Sequence, residues 1–405
     1  MKKGGRMFNK ISVRDIDSRN KRVFLRVDFN VPLDDKGNVQ DDLRIREALK
    51  TINCLIENKA IVIIASHMGR PKGKVVPELS LKPCAKRLSE LLGKEVKTAP
   101  DCIGDEVEKM ASELKPGDLL MLENLRFHKE ETDNDAEFAK KLSKLAELYV
   151  NDAFGAVHRA HASVEAITRF FQIRAAGFLI EKELEYLGNA VENPKRPFVV
   201  ILGGAKVSGK LELIINLMEK CDTILLGGAM VYTFLASRGR ATGSSLVESD
   251  KIENAGDILK QAKDKGVELE LPLDHLIAKE LNEQSETKII DDTSEGIPAG
   301  WMGVDIGPKT VSKYSEYLKN AKTIVWNGPM GVFEIPAFAA GTLNIARTVA
   351  TSGAISIVGG GDSAAAVKKA GVTDKLTHIS TGGGASLEFL AGEELPGIKA
   401  LSDKK

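Results

Sequence analysis

The chain has 405 residues, 43% hydrophobic and 28% charged, with 57 Lys and Arg against 57 Asp and Glu and a formal net charge of +0. That length exceeds one ordinary core and predicts two domains of a globular protein. The charge balance excludes bulk attraction to DNA, RNA or a membrane surface, so any pull on an anionic ligand must be local.

The start, MKKGGRMFNKISVRDID, is basic, but no apolar stretch follows it, which argues against a secretory signal. No run reaches the roughly 18 apolar residues of a membrane span, so a cytoplasmic protein is expected. Short runs rich in Val and Ile recur at 23–29, 60–65, 119–122 and 148–150, then at 198–202, 223–226, 323–326, 354–358 and 377–379. Each ends in glycine or polar residues and reads as a buried strand. Between them lie helical spacings. Residues 136–148 put Ala136, Ala139, Leu142, Leu145 and Ala146 on one face, 211–218 begin a second helix and 339–350 a third. This alternation predicts an α/β fold of two doubly wound, parallel-sheet (Rossmann-like) domains. The stretch 181–197, EKELEYLGNAVENPKRP, opens as a charged helix and ends in a turn with two prolines, so it reads as a helical hinge between them.

Ligands of open parallel sheets bind beyond the carboxyl ends of the strands. In the first half those ends carry Asp28, Phe29 and Asn30, then Ser66, His67, Met68, Gly69 and Arg70, then Glu123, Asn124 and Arg126, then Asn151 and Asp152 leading to His158 and Arg159. Arg70, Arg126 and Arg159 follow three separate strands, and Arg44 follows an acidic turn. Any one of them alone reads as a solvated surface residue. As a set they suit a small, strongly anionic ligand, because the guanidinium pairs bidentately with phosphate and carboxylate.

In the second half the ends are glycine-rich: Gly203 and Gly204, Gly227 and Gly228, Gly328, Gly359 to Gly361, and Gly382 to Gly384. One such end would be a tight turn; five favour a nucleotide, whose phosphates approach bare backbone amides. The segment 203–210, GGAKVSGK, contains G-x-x-x-x-G-K. Leu211 stands where a phosphate-binding P-loop needs Ser or Thr, so the match to that class is weak. Lys206 and Lys210 still suit phosphates. Asp362 is a candidate Mg²⁺ contact or else a helix cap, and Glu334 a candidate ribose contact or else a surface residue. The cysteines, Cys54, Cys84, Cys102 and Cys221, have no CxxC spacing and read as reduced thiols. His158 and His161 lack evident partner ligands, which argues against a structural zinc.

These motifs, taken in order, resemble the phosphoglycerate kinase family. They are RVDFNVP at 26–32, SHMGRP at 66–71, LENLRFH at 122–128, NDAFGAVHRAHAS at 151–163 and GGAKVSGK at 203–210. They continue with DIGPKT at 305–310, WNGPMGVFE at 326–334, GGGDSAAA at 359–366 and STGGGASLEFLAG at 380–392. The resemblance implies reversible transfer of a phosphoryl group between 1,3-bisphosphoglycerate with ADP and 3-phosphoglycerate with ATP, aided by Mg²⁺. It implies that Asp28, Asn30, Arg44, His67, Arg70, Arg126 and Arg159 hold the phosphoglycerate, with Phe29, Met68 and Gly69 in the same segments. Arg44 matches the arginine that reaches the transferring group, Lys206 the lysine that stabilises it, and Gly383 and Gly384 the helix start whose amides face it. Lys210 matches a nucleotide-phosphate ligand, Glu334 the ribose contact, and Gly360, Gly361, Asp362 and Ser363 the nucleotide and Mg²⁺ loop. The implied division is a phosphoglycerate domain over 1–183, a hinge over 184–197, a nucleotide domain over 198–390 and a tail over 391–405 that returns to the first domain. A monomer is the family expectation. Departures are mild: Ser363 stands for a frequent threonine, Met68 for a leucine, Ala156 and Val157 for Thr-Ala, and Ala229 for a third glycine.

The acceptor is a carboxylate, ionised well above its pKa, so no general base is required. Positioning and positive charge carry the reaction instead, and closure of the two domains on their ligands would exclude water. A P-loop ATPase is disfavoured by Leu211. A dehydrogenase is disfavoured by the lack of GxGxxG in the first βα unit, and an idle scaffold by the filling of every matched polar position.

Overall fold

Runs of Val, Ile and Leu with no polar face need cover on both sides. The chain, seen in a computed structural model that describes residues 9–293 and 295–404, supplies that cover twice; the basic residues 1–8, Ser294 and Lys405 lie outside the described residues. One compact unit takes the chain through Glu185 and again from Glu394, and the other is Tyr186–Glu393.

In the first unit, β1 (Arg22–Arg26), β2 (Ile61–Ala65), β3 (Lys97–Thr98), β4 (Leu119–Met121), β5 (Leu148–Asn151) and β6 (Arg174–Ala176) form one sheet in the order β3-β4-β2-β1-β5-β6. Every pairing is parallel. Phe24 of β1 sits opposite Ile63 and Tyr149. Val23, Leu25, Ile64 and Val150 meet Ile45, Ala48, Ile52 and Leu55 of the helix Leu43–Glu57 in the core. The expected strand 23–29 stops at Arg26, although Val27 and Phe29 stay buried after leaving the sheet. The expected helix 136–148 ends at Ser143, and Phe138 takes the buried face while Ala136 is exposed. The late segment Glu394–Lys405 belongs to this unit. Gly397 N–H donates to Val157 O at 2.8 Å, Ser402 N–H to Arg174 O at 2.9 Å, and Ile11 N–H to Ser402 O at 2.8 Å. Leu395 and Leu401 are buried there.

In the second unit, β7 (Phe198–Leu202), β8 (Thr223–Leu226), β9 (Glu268–Glu270), β13 (Thr323–Asn327), β14 (Ile355–Gly359) and β15 (His378–Ser380) form a sheet in the order β15-β14-β13-β7-β8-β9, again all parallel. Helices Leu211–Met218 and Ala340–Thr351 form where the apolar spacing predicts them. Between β9 and β13 the chain adds a small antiparallel sheet, β11 (Thr287–Asp291), β10 (Asp274–Ala278) and β12 (Met302–Ile306) in that order. The apolar runs do not announce it, because β11 is largely exposed and β12 carries Gly303. Among the described residues no helix is long and apolar enough to cross a membrane.

Each parallel sheet reverses its winding once. In the first unit β1 lies between β2 and β5, and in the second β7 lies between β8 and β13. Beyond the carboxyl ends at such reversals, neighbouring loops diverge and leave a crevice.

Candidate functional site

The crevice of the first unit opens where β1 and β5 end. Asp28, just past β1, is buried, and its Oδ2 accepts from Arg44 Nη1 at 2.5 Å. Arg44 comes from the first turn of the helix Leu43–Glu57. Asn30 N–H donates to Asp28 Oδ1 at 3.2 Å, and Asn30 Oδ1 accepts from Gly69 N–H at 2.8 Å, which ties the β1 and β2 loops together. Phe29 N–H donates to Ser66 Oγ at 2.8 Å, again across those loops. Burial opposes the Asp28 charge, but His67 in its protonated form, Arg44 and Arg26 act against burial and hold the carboxyl below its usual range.

A buried chain of polar groups lies beneath. Arg26, the last residue of β1, is fully buried and donates from Nε to Ser163 Oγ at 2.9 Å. Ser163 donates its hydroxyl hydrogen bond to Glu131 Oε1 at 2.6 Å and its N–H to Oε2 at 2.9 Å. Arg26 Nη2 lies 3.1 Å from His67 Nδ1. A guanidinium only donates, so Nδ1 accepts and the imidazole proton sits on Nε2. Burial, and then Arg26, Arg126 and Arg44 against the pull of Asp28, lower the His67 pKa well below its ordinary value. His67 is therefore a neutral N–H donor at neutral pH.

Asn124 builds the third wall. Its Oδ1 accepts from Met68 N–H and Arg126 N–H, both at 3.1 Å, and its Nδ2 donates to Met68 O and Leu79 O at 2.8 Å. Arg126 Nη1 donates to Gly69 O at 2.8 Å, while its buried Nε has no partner. Burial, then Arg26 and Arg159 nearby, lower its pKa to about 10. Burial and the same three arginines push His161 down to about 3. Arg159 is exposed and donates from Nε to His158 Nε2 at 3.1 Å. Arg70 is exposed and makes no hydrogen bond or ion pair among the described residues.

The structure thus brings Asp28, Phe29, Asn30, Arg44, His67, Met68, Gly69 and Arg126 into one bonded cluster. Arg159 joins it electrostatically through Arg126, and Arg70 remains at the solvent edge. Sequence reading missed Arg26, Ser163 and Glu131. The available signal was a charged residue closing an apolar run, at Arg26. Cations crowded so that they depress one another call for a polyanion.

The crevice of the second unit opens where β7 and β13 end. Its glycines fall into two kinds. Gly203, Gly228 and Gly328 are needed for packing: a Cβ on Gly228 would lie 2.4 Å from Gly204 N, and one on Gly328 would lie 2.2 Å from Gly203 O. Gly204 N–H donates to Pro329 O at 2.9 Å and Gly228 N–H to Met330 O at 2.8 Å. These turns hold strand ends together. Gly361 and Gly383 are different, with open space where a Cβ would stand. Gly360 is the N-cap of the helix Gly361–Lys369 at φ +97°, so Asp362 lies exposed in its first turn and is not the cap. Gly383, at φ +53°, is the N-cap of the helix that starts at Gly384.

Lys210 is the half-buried cation of this crevice. Its Nζ donates to Asn327 Oδ1 and, at 3.4 Å, to Asn327 O. Burial lowers its pKa to about 8, against the pull of Asp362. Asn327 Nδ2 donates to Gly359 O at 2.7 Å, and Ser363 Oγ accepts from Gly328 N–H at 2.6 Å. Ser363 therefore holds the β13 turn, a role the motif did not disclose. Lys206 and Glu334 are exposed, and among the described residues neither side chain forms a hydrogen bond or ion pair. Asn327 was also missed; its only signal was an amide at the end of an apolar strand.

Two doubly wound units, one with a cationic crevice and one with a lysine-bearing crevice of glycine turns, define an α/β protein built to hold small anionic and phosphorylated ligands. The model of the family described as phosphoglycerate kinase matches residues 13–393, and the chain belongs to that family. It is 57% identical over 397 residues to phosphoglycerate kinase of Chloroherpeton thalassium, across 97% of this chain and 99% of that one. It is 55% identical to the cytosolic phosphoglycerate kinase of Triticum aestivum, across 96% and 97%. The phosphoglycerate kinase structure from Coxiella burnetii superposes with a TM-score of 0.87 at 41% identity, covering 96% of this chain and 98% of that one. The chain is accordingly a glycolytic phosphotransferase with a phosphoglycerate and ATP or ADP as substrates.

Proposed function

We propose that the first unit holds 3-phosphoglycerate or 1,3-bisphosphoglycerate and the second holds ATP or ADP. The observation that carries this is the crowding of Arg26, His67 and Arg126 around a crevice with Asp28 and Glu131 as the acids acting on them. Arg126, Arg159 and Arg70 would receive the phosphate, and His67 donates from Nε2. Asp28, kept ionised, accepts from the substrate hydroxyl, with Asn30 and the Phe29, Met68 and Gly69 loops shaping the pocket. Arg44 is oriented by Asp28 and reaches the transferring group.

In the second unit, Lys210 and the backbone at Gly360 and the open Gly361 would take nucleotide phosphates, Glu334 the ribose, and Ser363 keeps their loop in place. Lys206, with the helix start at Gly383 and Gly384, balances charge on the transferring phosphoryl group. The family implies Mg²⁺. Asp362 fits it, being an exposed carboxylate beside Lys210 and outside the cap position, and one carboxylate plus phosphates is the usual protein share of such a site. Mg²⁺ bound there would neutralise phosphate charge. The acceptor carboxylate arrives ionised, so no side chain has to remove a proton. Transfer requires the two ligands to meet in one ternary complex. We also infer a cytoplasmic monomer without nucleic-acid or membrane partners, checked by light scattering and cell fractionation.

The test separates binding from transfer. Arg159→Ala raises KM for phosphoglycerate with kcat nearly kept. Lys206→Ala lowers kcat by on the order of 10²–10³ with binary affinities kept. Steady-state kinetics and calorimetry on both variants check this; normal turnover in Lys206→Ala removes that residue from the reaction.

A further inference from the structure

Outside the anion crevice, the first unit brings three donor side chains to one point. Asp101 and Cys102 lie in the turn after β3, and His128 closes the turn Leu125–Phe127 that follows β4. β3 and β4 are parallel neighbours, Lys97 opposite Leu120, so their carboxyl ends deliver the two loops side by side. One ligand atom from each of Asp101, Cys102 and His128 lies within 4.8 Å of the others. Asp101 Oδ1 stands 2.7 Å from His128 Nε2 and accepts from Cys102 N–H at 2.6 Å. The Phe138 ring packs on the imidazole with centroids 5.3 Å apart and fixes its plane. Cys102 is 0% exposed, whereas the Asp101 and His128 side chains are 45% and 25% exposed.

We propose that Asp101, Cys102 and His128 form a site for a thiophilic divalent cation such as Zn²⁺, with solvent water as the fourth ligand. An oxygen, a nitrogen and a sulfur donor together select a borderline-soft ion. Tetrahedral Zn²⁺ with bonds of 2.0–2.3 Å holds its ligands about 3.3–3.8 Å apart, so the widest pair has to close by about 1 Å. The cation takes the place of the proton between His128 Nε2 and Asp101 and of the thiol proton, while the Cys102 backbone N–H stays on Asp101. The Cys102 thiol gives its proton to solvent. The imidazole binds through Nε2 as the neutral ring, its proton moving to Nδ1 or, from the imidazolium, to solvent. Asp101 keeps its charge throughout.

Burial with Asp101 and Glu131 nearby disfavours the Cys102 thiolate, so without a cation this sulfur is inert and with one it ionises. The exposed side of Asp101 and His128 gives the entry path and the water position. Mg²⁺ prefers an all-oxygen octahedron and does not compete, which separates this site from the nucleotide crevice. Neither loop has a metal-binding spacing, because the donors come from segments joined only by strand pairing. His128 ends the turn that carries Arg126, so an ion here also ties down one wall of the anion crevice.

The test uses the full chain without nucleotide in excess Mg²⁺. Titration with Co²⁺ is expected to give one bound ion and a near-ultraviolet thiolate-to-cobalt charge-transfer band. Zn²⁺ calorimetry in buffers of different ionisation enthalpy is expected to show release of at least one proton. Cys102→Ser abolishes the band, and His128→Gln and Asp101→Asn weaken Zn²⁺ by more than the roughly 10–100-fold that loss of an outer partner causes. If Cys102→Ser fails to fold, the two solvent-facing variants decide. Absence of the band in the wild-type chain, or unaltered Zn²⁺ affinity in His128→Gln and Asp101→Asn, overturns the site.

Discussion

Lys210 is the residue whose chemistry is most bent by its surroundings in the crevice of the second unit. Its pKa near 8 means that in the free protein the ammonium is lost over the mildly alkaline range. A phosphate oxygen binds the ammonium and not the amine. Nucleotide affinity is therefore expected to hold up to pH 8 and then to weaken by about tenfold per pH unit, as binding must first return the proton. The slope ends at the pKa of the bound state, which phosphate raises. Isothermal titrations of ADP from pH 6.5 to 9.5 measure this, with Lys210→Met as the control that removes the slope. A flat wild-type profile through pH 9 would show that Lys210 stays charged. His67 behaves differently: burial and the surrounding arginines already favour its neutral form, so its N–H donation is not lost as the pH rises.

At the scale of elements, a loop keeps its shape through the groups beneath it. The chain Glu131–Ser163–Arg26–His67 links the turns after β1, β2, β4 and β5. Ser163→Ala strands a buried guanidinium N–H and a buried carboxylate oxygen, each costing about 1–3 kcal/mol. A loss of about 2–5 kcal/mol in urea unfolding is expected, with a raised KM for phosphoglycerate; a loss under about 0.5 kcal/mol refutes the linkage. The glycine turns predict a contrast. Gly228→Ala places a methyl 2.4 Å from Gly204 N at φ +69° and is expected to cost about 2 kcal/mol or more, with weaker nucleotide binding. Gly209→Ala meets nothing within 4 Å and is expected to be neutral or slightly stabilising. The inner parallel strands were legible because both faces are buried, which writes an unbroken apolar run, whereas the short edge strands β3, β6 and β9 left no such run. β11 and β12 were not legible, because β11 is largely exposed and the run of β12 is broken by Gly303 and Asp305. The arginines past strand ends were legible as a set, since charge at those positions has few structural uses. The jobs of Arg26, Ser163 and Asn327 were not, because a buried polar group is defined by partners remote in sequence.

At the scale of the molecule, the first unit is assembled from two stretches of chain. Leu395 and Leu401 bury there, and Gly397 bonds to Val157, two residues from Arg159. Ending the chain after Glu393 removes both leucines, about 3–6 kcal/mol of apolar burial. The expected result is a first unit that unfolds at lower urea and binds phosphoglycerate poorly, while the second unit keeps its nucleotide affinity. Differential proteolysis and two separate ligand titrations follow the units independently, and unchanged unfolding of the first unit would contradict its dependence on this segment.

That return of the chain also sets an order of events during synthesis. The residues that complete the first unit are translated after the whole of the second. At about 5–20 residues per second, roughly ten to forty seconds separate the two. The second unit is translated as one uninterrupted stretch. The first, although made earlier, waits with the Val157 and Arg174 carbonyls unpaired. A chain released at Glu393 would therefore carry every residue of the second unit and a first unit short of its closing segment.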